Sequence, residues 1–192
     1  MTADCITVEV VPGRGVFRLR LVIDSLVLIA ATFAMLCLSV ANADSSVKTG
    51  PGLADYVLVE KSARKLSLLR DGQVIKSFDI SLGLSPDGAK RMEGDFRTPE
   101  GRYFLEMKNP NSDFFLSIKI SYPGPEDLQN ARQMGVDPGG QIMIHGHPNQ
   151  PKYPISYYRG RDWTDGCIAV SNSDMVDIWL MTSTSTPIEI RP

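Results

Sequence analysis

The sequence predicts a mostly-β domain with two short helices, built as a barrel or sandwich of about eight short strands. Three observations carry that reading. Short apolar segments rich in Val, Ile, Leu, Tyr and Phe recur from Tyr56 to the end of the chain. Turn residues separate them, above all Asp71-Gly72. Only two stretches show helical spacing between helix-type start and stop signals.

In order, "YVLVE" from Tyr56 to Glu60 is the first strand. "KLSLLR" and "QVIKSFDISLG" flank Asp71-Gly72 and form a hairpin, because Asp and Gly tolerate the positive φ angles that a tight hairpin turn demands. "GRYFLEMK" and "FFLSIKISY" read as two further strands around a turn at Asn109-Pro110-Asn111. "PEDLQNARQMG" begins with Pro125 and two acids and stops at Gly135, the punctuation of a helix. "QIMIHG" is a short buried strand ending on His145, and "CIAV" is another beginning on Cys167. "SNSDMVDIWLMTS" offers Ser171 or Ser173 as N-cap, with Met175, Ile178 and Trp179 at helical spacing for the core. "TPIEIRP" closes the chain as the last strand.

Ahead of this domain the composition changes. Arg14, Arg18 and Arg20 precede an apolar run over residues 21–40, followed by Ala41-Asn42-Ala43. A positive region, an apolar region and an A-x-A site describe a secretory signal peptide over residues 1–43, with a retained membrane anchor as the alternative. Leu36 stands where a lipoprotein signal has a small residue before Cys37, which argues against lipid attachment. Residues 44–54 are small and polar and read as a linker, leaving 55–192 as the folded domain. The expected location is the periplasm or cell envelope. With 192 residues, 43% of them hydrophobic, and a net charge of −2, the chain has enough material for one core and no basic run for nucleic acid.

Cleavage removes Cys5 and Cys37 and leaves Cys167 without an intramolecular disulfide partner. A lone thiol in an oxidising compartment is either an inert core residue or a nucleophile retained for its reactivity. Its position after Thr164-Asp165-Gly166, in a polar turn, favours the nucleophile. Both histidines of the chain, His145 and His147, precede it in one segment. If the strands ending on His145 and starting on Cys167 are neighbours, the imidazole can take the thiol proton. Gly166 admits close backbone approach, and N–H groups near Gly166 and Cys167 suit a developing oxyanion. His-x-His with a thiolate also suits tetrahedral zinc, but residues one apart at a strand end point to opposite faces. His147, before Pro148, is expected to be an exposed loop residue.

Together, "IMIHGH" and "RDWTDGCIAVSN" resemble the signature of the L,D-transpeptidase catalytic-domain (YkuD) family. That signature has His-Gly at a strand end and Ser/Thr-His-Gly-Cys later, followed two residues on by Arg or Asn. His145-Gly146 matches the first element, and Thr164, Gly166 and Cys167 match the second. "RTPEGRYFL" is similar to the family's upstream Thr-Pro-x-Gly segment, and the likeness spans residues 55–192. The resemblance implies Cys167 as nucleophile and His145 as its base, acting on peptidoglycan stem peptides through a thioester. It implies backbone donors near Gly166 and Cys167, and neither a metal nor an organic cofactor. Two positions depart from the pattern: Asp165 replaces the second histidine and Ala169 the later Arg or Asn. They mark a divergent branch with Thr-Asp-Gly-Cys, some of whose members hydrolyse crosslinks or release cell-wall lipoprotein. L,D-crosslinking or attachment is the first expectation and L,D-hydrolysis the second. A non-catalytic wall-binding module is the third.

Between the two halves of the signature runs a loop, residues 148–164, rich in Pro and Tyr. Long loops beside a site often form its walls. Tyr157, Tyr158, Arg159, Arg161 and Trp163 are its available anchors; Tyr158, Arg161 and Trp163, with Asp165 just past the loop, are the candidate substrate-binding residues, and Arg161 or Arg159 could clamp a stem-peptide carboxylate.

Overall fold

The computed structural model describes residues 52–192; the expected signal peptide and most of the linker lie outside them. The strands are β1 (Tyr56–Glu60), β2 (Lys65–Arg70), β3 (Gln73–Asp79), β4 (Gly101–Ser112), β5 (Phe115–Ile120), β6 (Met143–His145), β7 (Ile168–Ala169) and β8 (Pro187–Arg191). Helix α1 (Pro125–Met134) lies between β5 and β6, and α2 (Asn172–Met181) between β7 and β8. A single turn of 3₁₀ helix, Ile155–Tyr158, interrupts the long loop. The mostly-β reading with two helices holds.

All eight strands join one sheet in the order β3-β2-β1-β8-β4-β5-β6-β7. The β1–β8 and β6–β7 pairs are parallel and the others antiparallel. The two ends of that order also meet. Ser81, two residues beyond β3, exchanges backbone hydrogen bonds of 2.8 Å in both directions with Ala169 of β7. The sheet therefore closes on itself, and the short strand that follows the cysteine lies at the seam.

Alternation sorts the side chains. Val57 and Val59 of β1, Leu66 and Leu68 of β2, and Ile188 and Ile190 of β8 point inward and are buried, their neighbours outward. Each fully buried Leu or Ile contributes about 1.5–3 kcal/mol. Helix α2 closes the core with Met175 and Ile178, both fully buried. Its N-cap is Ser171, whose hydroxyl accepts from Asp174 N–H at 3.1 Å. Helix α1 ends on Gly135 in the left-handed region, φ 67°.

One turn is displaced from where the sequence places it. Asn109-Pro110-Asn111 is not the β4–β5 turn; β4 runs on to Ser112, which pairs with Phe115 around Asp113-Phe114. The register slips between Asn109 and Ser112, so the proline sits in a bulge, where its missing N–H costs no ladder bond. The shift puts Phe114 at a loop tip, against the histidine described next.

Candidate active site

His145 ends β6 with only 5% of its surface exposed. Its ring packs against Phe114, centroids 4.7 Å apart, and edge-on against Trp163 at 5.6 Å. Nδ1 lies 2.7 Å from the Gly146 carbonyl oxygen. A carbonyl only accepts, so Nδ1 carries the proton and Nε2 keeps a free lone pair. Burial pulls the imidazole pKa down from 6.5 to about 4, against the opposing pull of the Gly146 bond. At neutral pH the ring is uncharged, the state a general base requires.

Cys167 immediately precedes β7. Strand register sets Ile144 beside Ile168 and His145 beside Ala169, so Cys167, two residues before Ala169, shares a face with His145. Strand spacing puts their Cα atoms about 8 Å apart on a diagonal. In the resting arrangement the thiol does not bond to the imidazole; it donates to the Gln141 carbonyl at 3.5 Å. Burial raises the thiol pKa above 9.0, and the Asp165 carboxylate pushes it the same way. The Met143 N–H and the Lys90 ammonium oppose this by favouring the thiolate. The resting pair is thus thiol and neutral imidazole.

The turn before the cysteine is braced from both sides. Thr164 Oγ1 donates to the Cys167 carbonyl at 2.7 Å and accepts from Gly166 N–H at 3.2 Å. Gly166 N–H, one of the two expected oxyanion donors, is thus engaged by Thr164 in the resting arrangement. Gly166 is needed for another reason. Its φ is 130°, and a Cβ there would lie 2.6 Å from the Arg97 carbonyl oxygen. The Arg97-Thr98-Pro99 segment is therefore packed directly behind the nucleophile turn. Fully buried Thr98 holds that segment in place, its hydroxyl accepting from Gly83 N–H at 3.2 Å.

The sulfur opens on a polar cleft of about 350 Å³ whose walls include Lys90, Glu93, Gln141 and Asp165. Of the four residues expected to bind substrate, only Asp165 faces this cleft. Trp163 backs His145 instead. Tyr158 is buried between His147 and Trp163, with ring centroids at 5.8 and 5.0 Å, and Arg161 is exposed with its guanidinium 4.3 Å from the centre of the Tyr157 ring. Both line a separate cavity, because the 3₁₀ turn folds the loop back over the sheet. The same folding buries His147, at 6% exposure, contrary to its expected place on the surface.

Several residues at the site gave no signal in the sequence. Asn172, the first residue of α2, accepts the His147 N–H at 2.8 Å and so clamps the His-Gly-His turn. Gly146 lets that carboxamide in, since a Cβ would lie 2.6 Å from Asn172 Oδ1. Lys90, 7% exposed and paired with Asp95 at 2.8 Å, brings a buried positive charge to the thiol cleft. No cluster of three or more His, Cys, Asp or Glu side chains able to hold a metal occurs among the described residues.

A closed β domain thus carries a cysteine and a buried, neutral histidine on neighbouring strands. The chain belongs to the L,D-transpeptidase catalytic-domain (YkuD) family, whose model matches residues 54–190. The L,D-transpeptidase-like protein YafK of Escherichia coli (strain K12) is 31% identical over 97 residues, 47% of this chain and 37% of YafK. YqjB of Bacillus subtilis (strain 168), also named for L,D-transpeptidase, is 24% identical over 70% of each chain. Among solved structures, the helical cell shape determining protein Pgp2 of Campylobacter jejuni superposes with a TM-score of 0.54 at 27% identity. That match covers 71% of this chain and 46% of Pgp2. This chain thus spans less than half the length of YafK and of Pgp2.

Proposed function

We propose that this protein is an exported cysteine acyl-transferase that joins peptidoglycan stem peptides through a Cys167 thioester. The observation that supports it most is the protonation state of the pair: His145 is neutral, with Nε2 free, on the strand next to the one that Cys167 precedes, and the thiol faces a cleft. The thiol shifts its hydrogen bond from Gln141 to Nε2, and the sulfur attacks the carbonyl joining the L-centre of the third residue to the terminal D-residue. The S–C bond forms as the proton passes to His145, and the Cys167 N–H receives the oxyanion. Collapse expels the D-amino acid, whose amine takes the proton from His145. An acceptor amine then attacks the thioester and restores the thiol. The acceptor is a second stem peptide or a cell-wall lipoprotein. Residues 21–43 fit delivery to the periplasm, with a mature terminus at Asp44.

Mass spectrometry of muropeptides after incubation with the protein tests this reading. New L,D-linked dimers are expected from the wild-type chain and none from Cys167→Ala or Cys167→Ser. Shortened monomers without dimers would make it a hydrolase, the outcome that Asp165 and Ala169 would favour. Turnover by Cys167→Ala would end every version. Sequencing of the amino terminus from the envelope fraction checks export, and recovery of only the full-length chain would refute cleavage.

A further inference from the structure

A second cavity, about 800 Å³, shares no lining residue with the thiol cleft. It lies on the far side of the long loop, beside the amino end of α2 and the Ser81–Ala169 seam. Nothing in the chemistry above uses it. Its volume is in the range of pockets that enclose small ligands.

His147 is the unexplained residue there. It is 94% buried, yet among the described residues its ring makes no hydrogen bond; only its backbone N–H is engaged, by Asn172. Its unbonded ring nitrogens are not among the fully shielded atoms left without a partner, so they open on the cavity that His147 lines, where they can meet a ligand. The surrounding charges state what kind. Of the three acids of the wall, Asp162 is paired with Arg64 at 2.7 Å and Asp79 with Lys65 at 2.6 Å, while Asp174 accepts the Ser171 hydroxyl at 2.7 Å and keeps its charge. Arg161 rests on the Tyr157 ring, and Arg159 has no acid partner among the described residues. Arg159 is close enough to His147 for its charge to depress the imidazole pKa, which burial lowers first. Among the described residues the cavity thus holds two arginines without an acid partner, Arg159 and Arg161, against one carboxylate without a cation, Asp174.

From the unpartnered His147 ring and the uncommitted Arg159, we infer that this cavity is a second ligand site, which binds the free carboxylate of a short peptide. A single small anion would leave most of the volume empty, whereas a carboxylate-ended peptide fills it and pairs with the guanidinium bidentately. That the peptide is a stem peptide rests on the function proposed above; the carboxylate chemistry does not.

The chain has two histidines, so their imidazole signals can be told apart by NMR after isotopic labelling. The full-length Cys167→Ala protein, unable to turn substrate over, is titrated with a tetrapeptide of stem sequence ending in a free D-alanine carboxylate, and in parallel with its C-terminal amide. The acid is expected to move the His147 signal and raise its pKa by about one unit, since a nearby anion favours imidazolium. The amide should bind at least about fivefold more weakly, and Arg159→Ala should weaken the acid by a similar factor while leaving the protein folded, because Arg159 is exposed. No movement of His147, equal effects of acid and amide, or a response confined to His145 would each overturn the proposal. A shifted His147 signal in a protein whose wild-type form makes no dimers or shortened monomers would remove the catalytic reading and leave this site standing.

Discussion

At the scale of the residue, the proposed pair of Cys167 and His145 is set by burial more than by mutual attraction. His145 titrates near 4 and the thiol above its ordinary value, so thiol and neutral base coexist across the whole neutral range. The expected pH profile of kcat/KM is a broad plateau whose acid limb lies near pH 4, well below the 6.5 of an exposed histidine. An acid limb at 6–7 would show that His145 is not the base. Asp165 contributes the opposite of activation: its carboxylate holds the thiol up. Asp165→Asn is therefore expected to lower the thiol pKa and quicken alkylation of Cys167 at pH 8 by about two- to fivefold, since a surface charge in high dielectric acts weakly. Measured iodoacetamide rates decide it; a slower variant would contradict the sign. Cys167 and His145 were legible because an orphan thiol in a glycine turn and a strand-end histidine are local patterns. His147 was misread because its burial comes from a loop folding back over it, which no neighbouring residue announces.

At the scale of the element, the nucleophile turn depends on a glycine for steric reasons that reach another part of the chain. Gly166→Ala places a methyl 2.6 Å from the Arg97 carbonyl at a φ of 130°. The expected cost is about 2–3 kcal/mol in urea unfolding together with loss of turnover, as the turn withdraws from the Arg97 segment. Wild-type stability in this variant would show that the turn is slack. Ser171→Ala, which removes the α2 cap, should cost about 1 kcal/mol by the same measurement. Strands and both helices could be read from alternation, capping residues and the Asp71-Gly72 turn. The β4–β5 hairpin could not, since Asn-Pro-Asn is ordinary turn chemistry. Only pairing with β5 reveals a bulge that carries the proline and moves the turn to Asp113-Phe114.

At the scale of the whole molecule, the histidines couple the fold to pH. His145 has a folded pKa of about 4 against 6.5 when unfolded, so the unfolded state binds protons more readily as the solution acidifies. Its stabilising contribution is complete above pH 6.5 and disappears as the pH falls to about 4, a loss of about 3 kcal/mol. His147, also depressed, acts in the same direction. Urea midpoints measured from pH 7 to pH 4 should fall steeply, and His145→Gln should flatten the decline; an equally steep decline in that variant would assign it to other groups.

The seam between Ser81 and Ala169 has a consequence for timing. Strand β7 is two residues long and is held by β6 on one side and by Ser81 on the other. Residues 81 and 169 come from distant parts of the chain, and bringing them together carries the entropic penalty of closing a long loop. The setting of Cys167 is therefore among the last features to be assembled, after the early hairpin and the β4–β5 pair have formed locally. A chain whose sheet is still open would carry Cys167 as an ordinary thiol with no base near it. The proposed chemistry would begin only once the sheet has closed.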